Sequence, residues 1–307
     1  MAWTFIPAYM YCFCHFLTTG YMGWVRDPKG PVYYRPYYHC QNKSFLEPNG
    51  TSDHDKLAYW THKVCFDNFL APGQKCVVYD FGIRQEPHFS VALAERGCEV
   101  HGFDPSDISR EGVKKGRKRQ KGYEWMTRAL DSPNFHFHAY GAGGKDGDMT
   151  LHNYNWGQVS VVRQIGKQYK LNKTTGKRTD EELKVKDYTV PVKTLPTILD
   201  ELKHTRIAIL KLDVEGSEYL FLEDALDRLG CDLPVDQITV EWHHFDYETR
   251  YGTPPHVLTL TNLLHECGFK TFAPFNAWGG IDEKGSGVLK TYALASYCRR
   301  CEGGRFD

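Results

Sequence analysis

The sequence lacks an excess of charge of either sign: its 307 residues hold 38 Lys+Arg against 38 Asp+Glu. A general nucleic-acid binder neutralises phosphates with surplus cations, so the balance argues against that class. Internal repeats and low-complexity tracts are lacking too. Hydrophobic residues at 41% and charged residues at 25% exclude a disordered or fibrous chain. Cysteine is not scarce, but the ten are scattered from Cys12 to Cys301, without the dense spacing of a small disulfide-stapled scaffold. The lone C-x-x-C at Cys298 and Cys301 has no second pair with which to form a tetrahedral zinc site; a redox pair, a disulfide or neither stays open.

Charge is missing altogether between Ala2 and Val25. That segment is long enough for a helix across a bilayer core of about 30 Å, which takes roughly 20 residues. Pro7, two glycines and the absence of a basic leader count against a signal or anchor, and an aromatic arm packed on the domain stands beside it as the alternative. Three N-x-S/T sequons, at Asn42, Asn49 and Asn172, fit a secretory lumen. Arg26, Lys29 and Arg35 pull the other way, since basic residues after an apolar span tend to stay cytoplasmic. The expectation is membrane attachment through residues 1–25 or passage through the secretory pathway, with the cytoplasm as the alternative. A basic run at 114–121 reads as a solvated face rather than a nucleic-acid patch.

Four stretches follow: the apolar segment 1–25, a linker with an N-terminal helix over 26–74, one α/β domain over 75–300, and a tail over 301–307. The helix is expected from a capping box at Ser52 and Asp55 and from Leu57, Ala58, Trp60, Val64, Cys65 and Leu70 on helical spacing, with Pro72-Gly73 as its stop. From residue 76 short apolar runs alternate with amphipathic ones, the pattern of a parallel α/β sheet. Strands are predicted at 76–81, 99–103, 135–140, 207–212, 237–241, 270–273 and 291–296, and helices at 89–96, 217–229 and 255–267. Residues 149–189 break the alternation and read as a β-hairpin insertion around a charged loop at 170–184.

Ligands of an open parallel sheet lie beyond the carboxyl ends of its strands, where strand order reverses. The first strand ends Asp80-Phe81-Gly82. The second ends Asp104-Pro105-Ser106, with Asp104 22 residues after Gly82, the spacing at which an acid meets a ribose in nucleotide-binding folds. G-x-G-x-x-G is absent: the loop has Gly82 alone, then Arg84 and Glu86. A carboxylate there repels a pyrophosphate, which weakens a nicotinamide-dependent oxidoreductase. A cofactor with a ribose and no phosphate fits better, and S-adenosylmethionine meets that description. Further along, Leu210-Lys-Leu-Asp213-Val-Glu215-Gly-Ser-Glu218 is a buried strand opening a helix. Capping by acids is the plainer reading, but three acids and a glycine exceed what capping needs. The next strand runs into Glu241-Trp-His243-His244-Phe-Asp246, which brings two histidines to the adjoining edge.

The strings VVYDFGIRQEPHFSVALAERGCEVHGFDPS, LKLDVEGSEYLFLEDAL and ITVEWHHF resemble the FkbM-type methyltransferases, and more closely the animal-type methyltransferase-like proteins that carry a related domain. The resemblance covers about residues 75–300. It implies a three-layer, Rossmann-like class I methyltransferase fold with a mostly parallel seven-stranded sheet, using S-adenosylmethionine. Asp80, Gly82, Asp104, Gly141 and Asp213 stand at the family's cofactor-binding positions; Arg84 and Glu86 depart from its glycines. The implied reaction is methyl transfer to a hydroxyl, such as one on a sugar, so the partner is a small molecule or glycan. Asp213 and Glu215 are expected to orient cofactor and acceptor, with His243 or His244 as base. Asp213, Glu215 and a histidine have the donor types for a divalent metal, but nothing in their spacing requires one, and no metal is assigned. The competing reading is a catalytically inactive domain that keeps the fold as an interaction surface.

Overall fold

The computed structural model describes residues 38, 40–46, 62–67, 69–70, 73–83, 87–105, 123–153, 159–160, 169–171, 178–182, 186–244, 255–278 and 291–299. The apolar segment 1–25, the capping box at Ser52, the sequons at Asn49 and Asn172, Arg84 and Glu86, the basic run at 114–121 and Cys301 lie outside these residues.

The first two strands, β1 (Lys43–Phe45) and β2 (Lys63–Cys65), pair antiparallel. Val64 and Cys65 therefore belong to a strand, where helical spacing had placed them in a helix. Two long-range anchors explain the difference. Cys65 is disulfide-bonded to Cys40, and the Gln237 amide takes both backbone groups of Cys65, accepting from its N–H at 3.0 Å and donating to its carbonyl at 2.6 Å. Tyr38, Cys40 and Cys65 are buried with Phe272, Ala273 and Cys298. This part of the expected linker is packed on the domain.

The main domain begins with β3 (Val77–Phe81), α1 (His88–Ala94), β4 (Glu99–Phe103), α2 (Tyr123–Asp131) and β5 (Phe135–His138). An insertion follows: β6 (Gly141–Ala142), β7 (Gly147–Asn153), β8 (Val159–Ser160), β9 (Tyr169–Leu171), β10 (Arg178–Glu182) and β11 (Lys186–Lys193). Strands β6, β11, β7 and β8 form one small sheet. Strands β9 and β10 pair antiparallel inside the stretch expected as a charged loop; alternating charges do not prevent strand pairing, because backbone groups make the ladder. The chain then returns through α3 (Leu195–Leu202), β12 (Ile207–Leu212), α4 (Glu218–Leu229), β13 (Val235–His244), α5 (Pro255–Glu266), β14 (Lys270–Trp278) and β15 (Thr291–Cys298).

The seven-stranded sheet has the order β14-β15-β13-β12-β3-β4-β5. β13, β12, β3, β4 and β5 are parallel, and β15 runs antiparallel between β13 and β14. One face buries Tyr79, Phe81, Phe103, Leu210 and Leu212 against Leu195, Ile198 and Phe221 of α3 and α4. The other buries Val78, Val100 and Ile209 against Leu93 and Met126 of α1 and α2. With both faces covered, central strands read as continuous apolar runs. β12 is buried throughout, Lys211 included. Strand order reverses between β3 and β12, which fixes where a ligand site should be.

The scattered cysteines hid a set of cross-links. Besides Cys40–Cys65, Cys76 is bonded to Cys98 and Cys231 to Cys267, and Cys298 is disulfide-bonded as well. Cys76 and Cys98 each precede a strand, and the parallel βαβ return brings those strand starts together, with Cα atoms 4.7 Å apart.

Candidate functional site at the reversal of strand order

At the carboxyl ends of β4, β3 and β12 the strands are tied together. Gly82 N–H donates to the Phe103 carbonyl at 2.9 Å, and Asp213 N–H to the Phe81 carbonyl at 3.2 Å. Gly82 has φ +82°, and a Cβ there would lie 1.7 Å from the Asp213 carbonyl oxygen. Its bare backbone thus lets β12 approach closely. Asp80 is likewise turned inward. It is 1% exposed, accepts from Ser90 Oγ at 2.6 Å and pairs with Lys211 Nζ at 2.9 Å. Burial pushes the Asp80 carboxyl up, against Lys211 and Ser90. Both residues shape the floor of the site, where direct cofactor contact had been expected.

Above that floor four carboxylates surround one ring. Glu218 Oε1 is 3.3 Å from His243 Nδ1, while Glu241, Asp213 and Glu215 carboxylates lie 3.6, 3.7 and 3.9 Å from Nε2. Lys211 Nζ is 3.8 Å from Asp213. The start of α4 holds the end of β13 in place: Glu218 accepts from the backbone N–H of Gly216 at 3.0 Å and of His243 at 2.7 Å, and Tyr219 OH donates to the His243 carbonyl at 3.2 Å. Glu215 has φ +55°, uncommon for a residue with a side chain, and Gly216 follows at +104°. This left-handed pair swings Glu215 out of β12 toward β13.

These charges change the chemistry expected of His243. Burial pulls its pKa down, but Glu218, Glu215 and Asp213 outweigh it and push it up to about 10. Carboxylates around the ring favour its protonated form, which opposes the role of base expected of it. Glu241 moves the opposite way in role: burial, then repulsion by Asp213, pushes it up to about 8. His244, at the end of β13, has its backbone paired with Thr291 of β15, and its side chain lies outside the described part.

Asp104 is buried at the end of β4, with its N–H donating to the His138 carbonyl at 3.1 Å. Gly141 is buried beside it, packed on the Pro105 ring. The structure therefore gathers Asp213, Glu215 and His243 into one cluster and Asp104 with Gly141 into a neighbouring one. Sequence reasoning missed Lys211, Glu218 as a partner of His243, and His62. The His62 ring is buried, with Nδ1 2.9 Å from Thr239 Oγ1 and Nε2 without a hydrogen-bond partner among the described residues. His62, Asp213 and Glu241 each place a ligand atom within 4.8 Å of the others, a mixed nitrogen and oxygen set that could hold a divalent ion.

Strand order and a charged crevice at the reversal point define a doubly wound, Rossmann-like domain. Residues 76–271 match the methyltransferase FkbM domain, and the chain belongs to that family. It is 26% identical over 253 residues to the human probable methyltransferase-like protein 24, covering 78% of this chain and 54% of that protein. The rat protein of the same name is 24% identical over 232 residues, 73% of this chain and 49% of that protein. The chain spans about half the length of these curated relatives. Among solved structures, a SAM-dependent methyltransferase from Agrobacterium tumefaciens aligns at 10% identity and TM-score 0.34, covering 74% of this chain and 56% of that one. The N-terminal domain of EvdMO1 with SAH bound aligns at 10% identity and TM-score 0.33, covering 76% of each chain. At such scores the fold assignment rests on the strand order itself.

Proposed function

We propose that the chain binds S-adenosylmethionine and transfers its methyl group to an oxygen acceptor, a hydroxyl on a small molecule or glycan. The observation that supports this most is the surplus of carboxylate in the crevice. Among the described residues, Asp80, Asp213, Glu215, Glu218 and Glu241 pair with two cations, Lys211 and His243, and the open members, Asp213 and Glu215, suit a sulfonium. Membership of the FkbM family gives the reaction its direction.

Asp104 would accept from the ribose hydroxyls, the Gly141 backbone would flank the adenine, and Asp213 would lie toward the reacting end. Bound there, the cofactor supplies an activated methyl group on sulfur. The protein's task is alignment of the acceptor oxygen, a positioning effect worth several kcal/mol, about 7–11 at most. Asp213 and Glu215, about one-third exposed, orient the acceptor. The proton it loses passes to a carboxylate of the cluster, Asp213 or Glu215 being the open ones. His243 holds these acids in position by its charge, and His244 stands beside it as a second residue to test. The disulfides favour an oxidising compartment, which we read as the secretory pathway. Among the described residues no helix is long and apolar enough to cross a membrane.

Calorimetric titration of the full chain with S-adenosylhomocysteine, with NAD as control, tests the cofactor. Micromolar binding abolished by Asp104→Ala is the expected result. Folded protein that binds neither ligand would leave a domain that keeps the fold without the chemistry. For the mechanism, Asp213→Ala, His243→Ala and His244→Ala are compared; full turnover in all three overturns it.

A further inference from the structure

A second cluster lies at the other end of the sheet, where the strands begin. Glu99 opens β4, and its Oε1 is 3.2 Å from His101 Nε2 and 3.4 Å from His204 Nε2. His136 on β5 is directly opposite His101 in the parallel register, with ring centroids 4.9 Å apart. Glu99, His101 and His136 each place a ligand atom within 4.8 Å of the others.

We propose that Glu99, His101, His136 and His204 form a zinc-class metal site, separate from the crevice. Three lines of geometry carry it. First, zinc bonds of about 2.0–2.2 Å to nitrogen and oxygen give tetrahedral ligand–ligand edges of about 3.3–3.5 Å, and the distances from Glu99 to the two Nε2 atoms are already of that size. Second, the far nitrogen of each of these rings is held by another group. His101 Nδ1 is 2.9 Å from His138 Nε2, and His204 Nδ1 is 2.9 Å from Tyr79 OH. Ligating histidines are oriented in this way through the ring nitrogen that does not touch the metal. Both outer partners can take a proton as well as give one, so both rings can turn a bare Nε2 toward Glu99. Third, access and rigidity are combined. His101 and His204 side chains are 6% and 14% exposed, while Glu99 at 38% opens to solvent, and His136 is exposed. Lys203, at φ +58°, ends α3 and turns the chain into His204. An ion here would tie the α3–β12 turn to β4 and to the edge strand β5. Imidazole with one carboxylate suits Zn²⁺ and its late first-row neighbours rather than Mg²⁺ or Ca²⁺.

The test uses the full chain, stripped with a chelator and dialysed. Titration with Zn²⁺, and with Co²⁺ as a spectroscopic probe, should give one ion per chain and the strong visible absorption of tetrahedral Co²⁺. His136→Ala, on the exposed edge, and His204→Ala should each weaken Zn²⁺ binding at least about tenfold, with circular dichroism confirming that the variants fold. S-adenosylhomocysteine binding should be the same with and without Zn²⁺, which keeps this proposal independent of the one for the crevice. A weak, aqueous-like Co²⁺ spectrum overturns the site, as does Zn²⁺ affinity unchanged in both variants.

Discussion

The two ends of the sheet bury the same residue type and shift its proton affinity in opposite directions. At the carboxyl end, His243 sits among four carboxylates and is pushed up to about 10. At the amino end, burial and neighbouring imidazoles take His101 down to about 4, with Glu99 as the carboxylate bound to it. Burial acts in the same direction at both ends, so the count of nearby acids decides the outcome. One end is arranged to handle charge, and the other offers neutral donors.

The largest effect is expected from removing the cation of the crevice floor. Lys211→Met leaves Asp80 buried without its ion partner, a loss of about 3–5 kcal/mol measured by urea unfolding. Glu218→Gln is next. Glu218 is 0% exposed and serves two backbone N–H groups and the His243 ring. A neutral amide cannot satisfy all three, so about 2–3 kcal/mol should be lost, and the NMR titration midpoint of His243 should fall. If that midpoint does not move, the acids are not what distinguishes the two ends.

A pH series sharpens the same point. His243 and Glu241 both have folded pKa values above their unfolded ones, so each favours the folded state at low pH. The Glu241 contribution is lost between 4.5 and about 8, and that of His243 between 6.5 and about 10. The Tm should therefore decline as pH rises from 6.5 to 9. Glu241→Gln, which mimics the protonated acid, should flatten the lower part of that decline.

Much of the frame could be read directly. Residues 99–103 and 207–212 are the bounds of β4 and β12 as expected, because doubly buried strands leave unbroken apolar runs. Strand β2 could not be read: Val64 and Cys65 fit helical and extended spacing alike, and what decides is Cys40 and Gln237, remote in sequence. In the site, Asp213, Glu215 and His243 were legible because neighbouring parallel strands end side by side. The state of His243 was not, since it depends on Glu218 reaching back from the first residue of α4. His62 lies before the α/β alternation begins, so no pattern pointed to it. At the amino end, His136 and His138 share a face at i and i+2, but only the register with β4 sets them beside His101.

The smallest effect comes from making the same change at the other end. Glu99→Gln removes a carboxylate that is 38% exposed and meets His101, whose pKa burial takes down to about 4, so little charge pairing is lost. In the presence of a chelator the cost should be below about 1 kcal/mol, as for an exposed ion pair, against the larger loss in Glu218→Gln. With Zn²⁺ added, the parent chain should gain Tm and Glu99→Gln should gain less, because binding to the folded state alone stabilises it by mass action. A chelated Glu99→Gln as damaged as Glu218→Gln would show that His101 is a cation after all, and the contrast between the two ends would collapse.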